Sequence, residues 1–218
     1  MREQEFVDLF KRYAKPVGAG IAALLLGLAG YLWWDHSTRQ AAAELSEKTV
    51  LALDKVDPRG GGLDQAAKEI DPLTKEGSAA SRANALVLRA GIAFQQGKAE
   101  DAARDFAAVA ADAKAPQPLR DLALIREVAI RFDALPPQQV VDKLKPLSVP
   151  GNPWFGSAGE LSGMALLKLG KPDLAGAMFV AVASDKDVPA SLRTRMRQIA
   201  GQLGYEVSDS ATVAPAAK

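Results

Sequence analysis

The sequence predicts an all-α protein: a single N-terminal transmembrane helix followed by a solenoid of helical hairpins. Three observations carry this prediction. Residues 16–34 contain no charged side chain, although 24% of the whole chain is Asp, Glu, Lys or Arg. Residues 86–120 recur, without a gap, as residues 159–193. Alanine is abundant and β-branched residues seldom run together, which favours packed helices over sheet.

The apolar stretch reads PVGAGIAALLLGLAGYLWW. A helix rising about 1.5 Å per residue covers about 28 Å here, close to the thickness of a bilayer's hydrocarbon core. Buried core helices are mostly shorter and keep a polar stripe. Gly18, Gly20, Gly27 and Gly30 suit a helix packed in lipid. Tyr31, Trp33 and Trp34 gather at one end, as aromatic rings do at the membrane–water boundary.

Arg2, Lys11, Arg12 and Lys15 precede the run, and only Arg39 and Lys48 follow closely. That bias puts the N-terminus in the cytoplasm and the C-terminal part across the membrane. Ala41, Ala42 and Ala43 look like a signal-peptide cleavage site. The run is longer than a signal core, however, and ends in two Trp residues well before those alanines. An uncleaved anchor over residues 16–34 is the expectation. Ahead of it, Phe6, Leu9, Phe10 and Tyr13 share one face of residues 1–15. They form either a cytoplasmic amphipathic arm on the leaflet or the first turns of the membrane helix.

Composition removes several function classes. The 218-residue chain has no cysteine, so disulfides and thiolate metal sites are out. Its 27 basic residues balance 26 acidic ones, and no basic patch follows the anchor, so nucleic acid is not an expected partner. The part after the anchor is long enough to bury a core without cross-links.

Residues 38–56 read as a helix with Ala42, Leu45, Thr49, Ala52 and Leu53 on one side. Asp57-Pro58 and Gly60-Gly61-Gly62 break the chain. Residues 63–76 form a short helix with Ala66, Ile70 and Leu73 inward, ended by Gly77-Ser78.

The repeat comes next. At an offset of 73, residues 86–120 and 159–193 share 12 identities in 35 positions. Gly97-Lys98 falls on Gly170-Lys171, Ala102 on Ala175, Phe106 on Phe179, Asp112 on Asp185, Pro116 on Pro189 and Leu119-Arg120 on Leu192-Arg193. Alanine bias alone does not produce such matches, so an internal repeat is the better account. Val140, Leu144 and Leu147 take the places of Ala102, Phe106 and Val109 at an offset of 38; Ala66, Ile70 and Leu73 do so 36 residues earlier. Four units result, each a helix, a turn and a second helix. Gly97 ends a first helix, Ala102 lets two helices approach, and Phe106 and Val109 fill the space beside it. No such unit buries its apolar face alone, so each stacks on a neighbour.

The spacing Gly97, Ala102, Phe106, Val109 resembles the second half of a tetratricopeptide repeat, and Gly170, Ala175, Phe179, Val182 matches it equally. The first halves depart from the motif: Leu86 and Ala90 fit its large and small positions, but Gly159 is not large. The predicted tetratricopeptide-like domain covers 38–205, and residues 206–218 read as a disordered tail. With its basic arm and single span, the whole chain resembles the ancillary subunit of the bacterial SecYEG translocon. That resemblance implies a single-pass protein of the bacterial inner membrane, with its repeat domain in the periplasm. It implies as partners translocon subunits, periplasmic chaperones or exported clients, with the lipid bilayer met through residues 16–34. A tethered scaffold for cell-wall or division machinery is the alternative.

If the repeats stack as tetratricopeptide units do, first helices line a concave groove. Its walls are then Asn84, Val87, Gly91, Phe94 and Gln95 and, by the repeat, Ser157, Glu160, Met164, Leu167 and Lys168. Such a mixed surface suits weak binding of extended or partly folded segments. Phe94, Met164 and Leu167 read equally well as packing residues. Pro146 to Phe155 makes an ordered turn in which Trp154 and Phe155 plug the gap between two repeats, a reading preferred over a partner contact.

Nothing points to catalysis. The lone histidine, His36, sits two residues past the aromatic end of the span and reads as a headgroup contact. Without a second His or any Cys, zinc and cysteine-nucleophile chemistry have no residues. Phosphate and dinucleotide fingerprints are missing. Glu100 with Asp101, and Asp185 with Asp187, fit helix ends and solvated turns. No cofactor, metal or small-molecule substrate is expected.

Overall fold

The computed structural model describes residues 61–207 throughout and, before them, only residues 28, 47, 48, 50–52 and 54. The chain divides into two units, Met1–Lys48 and Thr49–Lys218. The arm over 1–15, the apolar run 16–34 except Leu28, its aromatic end (Tyr31, Trp33 and Trp34) and the tail from 208 onward lie outside the described residues. Of the helix expected over 38–56, residues 47, 48 and 50–52 are described; they are helical, and Ala52 is fully buried. Among the described residues no helix is long and apolar enough to cross a membrane.

Turns rich in Pro, Gly and Asp cut residues 61–207 into eight α-helices. These are α1 (Leu63–Ile70), α2 (Ala79–Gln95), α3 (Ala99–Ala111), α4 (Gln117–Ile130), α5 (Pro137–Leu144), α6 (Phe155–Lys168), α7 (Pro172–Ser184) and α8 (Ala190–Gln202). No β-strand lies among the described residues. The single helix expected over 63–76 is two pieces, α1 and a 3-10 turn at Pro72–Thr74. Pro72 has no N–H to donate and its ring crowds the preceding turn. The inward face survives the break, with Ala66, Ile70 and Leu73 all buried.

Each helix packs on the next in sequence, and first helices also touch: α2 on α4, α4 on α6, α6 on α8. That is the near-one-dimensional order of a solenoid. The core follows it as three clusters. The first joins Ala90, Phe106, Val109 and Ala123. The second joins Ile125, Val128, Val140, Leu144 and Ala158. The third joins Phe155, Phe179, Val182 and Met196. Trp154 packs on the second cluster while Phe155 is buried in the third. Adjacent aromatics thus close the joint between two repeats, each ring on its own side.

Many residues shared by the repeats hold turns. Gly97 (φ 76°) and Gly170 (φ 69°) take the left-handed conformation that only glycine adopts cheaply. At each, the following N–H reaches back to close the helix: Lys98 to the Ala93 carbonyl at 2.8 Å, Lys171 to the Leu166 carbonyl at 3.0 Å. This is the Schellman pattern. Asp112 and Asp185 accept backbone N–H bonds from Lys114 (2.9 Å) and Asp187 (2.8 Å). Arg120 and Arg193 donate to the Ala113 and Lys186 carbonyls, both at 3.0 Å. Pro116 and Pro189 stand just before α4 and α8.

Ion pairs tie the layers. Arg89 of α2 grips Asp105 of α3 through two bonds of 2.7 and 2.8 Å and also reaches Asp71. The Asp105 hydrogen bond, opposed by partial burial, holds the Arg89 guanidinium above its ordinary pKa. Glu127 of α4 is buried at 4% exposure, yet Lys143 of α5 donates to both its oxygens at 2.8 and 2.9 Å. Arg131 lies 3.7 Å from Glu127 and pairs with Glu100 of α3 at 2.9 Å. A buried carboxylate needs such partners, because its desolvation costs several kcal/mol otherwise (roughly).

A candidate protein-binding groove on the first helices

One face of α2 is open. Val87, Gly91, Phe94 and Gln95 of α2, Phe106 of α3 and Leu122, Arg126, Ala129 and Ile130 of α4 line one depression of about 540 Å3. Phe94 is 54% exposed, although an aromatic ring of this size gains most by burial. Gln95 and Arg126 bring the polar groups; the rest of the lining is apolar or backbone. Asn84, one turn earlier on α2, is exposed and outside this lining.

The second set of predicted residues sits on α6 in a different setting. Glu160 accepts a bond from Arg195 of α8 at 2.6 Å. Lys168 bonds Asp133 at 2.6 Å, with its ammonium 4.7 Å from the centre of the Phe132 ring. Leu167 packs against the third core cluster. Ser157 is half-buried, and Met164 is 38% exposed. On α6 the charged positions therefore face partners within the chain, whereas on α2 Phe94 and Gln95 are exposed and Val87 packs against the first core cluster.

The α4 residues of the groove escape the sequence comparison for a definable reason. Val87, Gly91, Phe94 and Gln95 fall on Leu122, Arg126, Ala129 and Ile130 at an offset of 35. The second helices of the same units, read from Ala102 to Val140, are 38 apart. The difference of three residues lies in the longer connection between α4 and α5. One offset per unit cannot register both helices. The signal was present as the i, i+4, i+7, i+8 pattern of 122, 126, 129 and 130, which recurs at 160, 164, 167 and 168.

Gly159, the departure from the tetratricopeptide pattern, is also explained. A Cβ there would lie 2.6 Å from Val182 Cγ2 and 3.6 Å from the Phe155 ring. Val182 of α7 therefore fills the space that a large residue at 159 would need.

Among the described residues no group of three or more His, Asp and Glu side chains is placed to hold a metal. No buried side-chain nitrogen or oxygen among them lacks a hydrogen-bond partner. The buried polar side chains among the described residues are committed to the fold.

Stacked helix pairs with an open face on the first helices define a helical repeat protein built for protein–protein contact. A family model for the tetratricopeptide repeat-like domain matches residues 8–200, and the chain belongs to that family. No curated protein and no solved structure matches it.

Proposed function

We propose that this protein is a non-enzymatic, protein-binding accessory subunit of the SecYEG translocon. It is held in the bacterial inner membrane by residues 16–34, with the repeat domain in the periplasm. The observation that carries the binding role is the open groove, with Phe94 half exposed between α2 and α4. Two sequence features support the tether: the uncharged run ending in Tyr31, Trp33 and Trp34, and the Lys and Arg excess ahead of it. The family match starts at residue 8, so run and repeats are matched together. Segments of newly exported chains, still extended, are the clients such a groove suits.

The test has two arms. Alkaline phosphatase fused after Val207 is expected to be active, on a membrane-bound protein of full-length mass. An active cytoplasmic reporter at the same place removes the periplasmic reading. In the second arm, photo-crosslinking from the groove is expected to capture translocon subunits and exported chains. Phe94→Ser should lower that yield several-fold without changing the circular dichroism spectrum. Capture of cell-wall or division proteins instead would move the scaffold to another envelope complex.

A further inference from the structure

A helical glycine usually has a reason inside the fold. In α6 and α7 that reason is close packing: a Cβ at Gly156, Gly159, Gly163 or Gly176 would lie 2.9 Å or less from a neighbouring side chain. Gly91, in the interior of α2, is different. Nothing lies within 4 Å of where its Cβ would be. Glycine weakens a helix interior relative to alanine, and here the chain gains no packing in return. Gly201 shares the open space, but it stands at the end of α8 beside the cap. Gly91 thus leaves the floor of the groove low.

Arg126 is the second observation. It occupies the position on α4 equivalent to Gly91, with Leu122 before it and Ala129 and Ile130 after it in the same lining. It is exposed, and its guanidinium makes no hydrogen bond or ion pair among the described residues. Arg89, Arg131 and Arg195, by contrast, are each tied to a carboxylate. An unpaired cation flanked by apolar side chains is complementary to a carboxylate flanked by apolar side chains.

We propose that the groove selects apolar protein segments carrying an internal Asp or Glu. The carboxylate pairs with Arg126, and a neighbouring apolar side chain enters the space over Gly91 beside Phe94. This rests on the protein-binding reading and names the chemistry of its partner. Apolar residues lie on both sides of Arg126, which fits an acid inside a segment; a chain terminus would meet apolar groups on one side only. A segment with Lys at the same place is rejected by like charge and by desolvation.

Full-length protein is titrated by fluorescence anisotropy against fluorescein-labelled dodecapeptides, amidated at the C-terminus, with Leu and Val flanking one central Glu, Gln or Lys. Wild type should bind the Glu peptide about tenfold more tightly than the Gln peptide, and the Lys peptide least. Arg126→Gln should erase the Glu preference, bringing the Glu peptide's affinity down to that of the Gln peptide. Gly91→Leu should weaken both peptides while raising Tm by about 2–4 °C, since leucine is the better helix former. Equal binding of the Glu and Gln peptides by wild type, or a Glu preference that survives Arg126→Gln, overturns the selection and leaves the scaffold intact. Unchanged binding by Gly91→Leu overturns the seat over α2. Failure of wild type to bind any of the peptides overturns both the selection and the groove.

Discussion

The two copies of the repeat use the same framework in opposite ways. In the α2–α3 copy the crossing is spaced by Ala90, whose equivalent in the α6–α7 copy is Gly163. A Cβ at Gly163 would lie 2.3 Å from the Phe179 ring, and one at Gly159 would lie 2.6 Å from Val182. Glycine at both places lets α6 settle onto α7, and α8 then ties down Glu160 through Arg195. The α2–α3 copy keeps its alanines, leaves Phe94 in the open and puts its unused glycine on the groove. Close packing at one end goes with glycine where the other copy has Leu86 and Ala90. Turn residues are shared because both copies need the same reversals; contact residues diverge because only one copy keeps its face free.

The largest way to break that difference is Gly163→Ala. Alanine is the better helix former by about 1 kcal/mol, so a solvent-exposed site would gain. Here the new methyl meets a Phe179 ring that is 0% exposed and cannot retreat. Overpacking of this kind costs about 1–3 kcal/mol, and a net loss near the upper end is expected in urea unfolding of the full-length protein. The reverse exchange, Ala90→Gly, should cost less, about 1–2 kcal/mol, the helix term plus the loss of one buried methyl. Equal losses at the two sites would mean that both crossings are spaced alike.

A middle-sized effect comes from the joint between the two copies. Lys143→Met leaves the buried Glu127 with only Arg131, 3.7 Å away. Breaking a buried pair costs about 3–5 kcal/mol when nothing replaces the partner; with Arg131 near, about 2 kcal/mol is expected by urea unfolding. The double variant Glu127→Leu with Lys143→Met should recover much of the loss, because no lone charge stays buried. A double variant worse than the single one would show that the pair adds more than mutual neutralisation.

How much of this was legible in the sequence follows from what each residue does. Gly97, Asp112, Pro116 and Arg120 act through backbone reversal, a local requirement, so they recur at a fixed offset and mark the solenoid. Ala102, Phe106 and Val109 show equally well, because the crossing repeats. The tetratricopeptide-like fold was therefore readable. Half of the groove was not, because Leu122, Arg126, Ala129 and Ile130 sit across a connection whose extra length shifts the register by three. Nor could the sequence tell that Glu160 and Lys168 are bound by Arg195 and Asp133, both 35 residues distant in the chain. Such pairings depend on how neighbouring units stack, which a single unit's pattern does not encode.

The smallest effect sharpens the closed end. Tyr205 follows the end of α8, and its ring fills the space that a Cβ on Gly176 of α7 would need, 2.3 Å from Cε2. Its hydroxyl donates to Asp173 at 2.9 Å, and that bond is the main reason its pKa lies above the ordinary 10.0. Only the protonated phenol can donate. A folded value above the unfolded one means that the contribution is whole below pH 10 and is lost as pH rises through the raised value. Tyr205→Phe keeps the ring over Gly176 and removes only the hydroxyl. The variant should melt slightly below wild type at pH 7 to 9, and the gap should close at pH above 10. Absorbance titration of the tyrosinate band, wild type minus variant, should place Tyr205 above free tyrosine. A Tyr205 that ionises with free tyrosine, or a gap that persists into alkali, would mean that the ring alone holds the end of the solenoid.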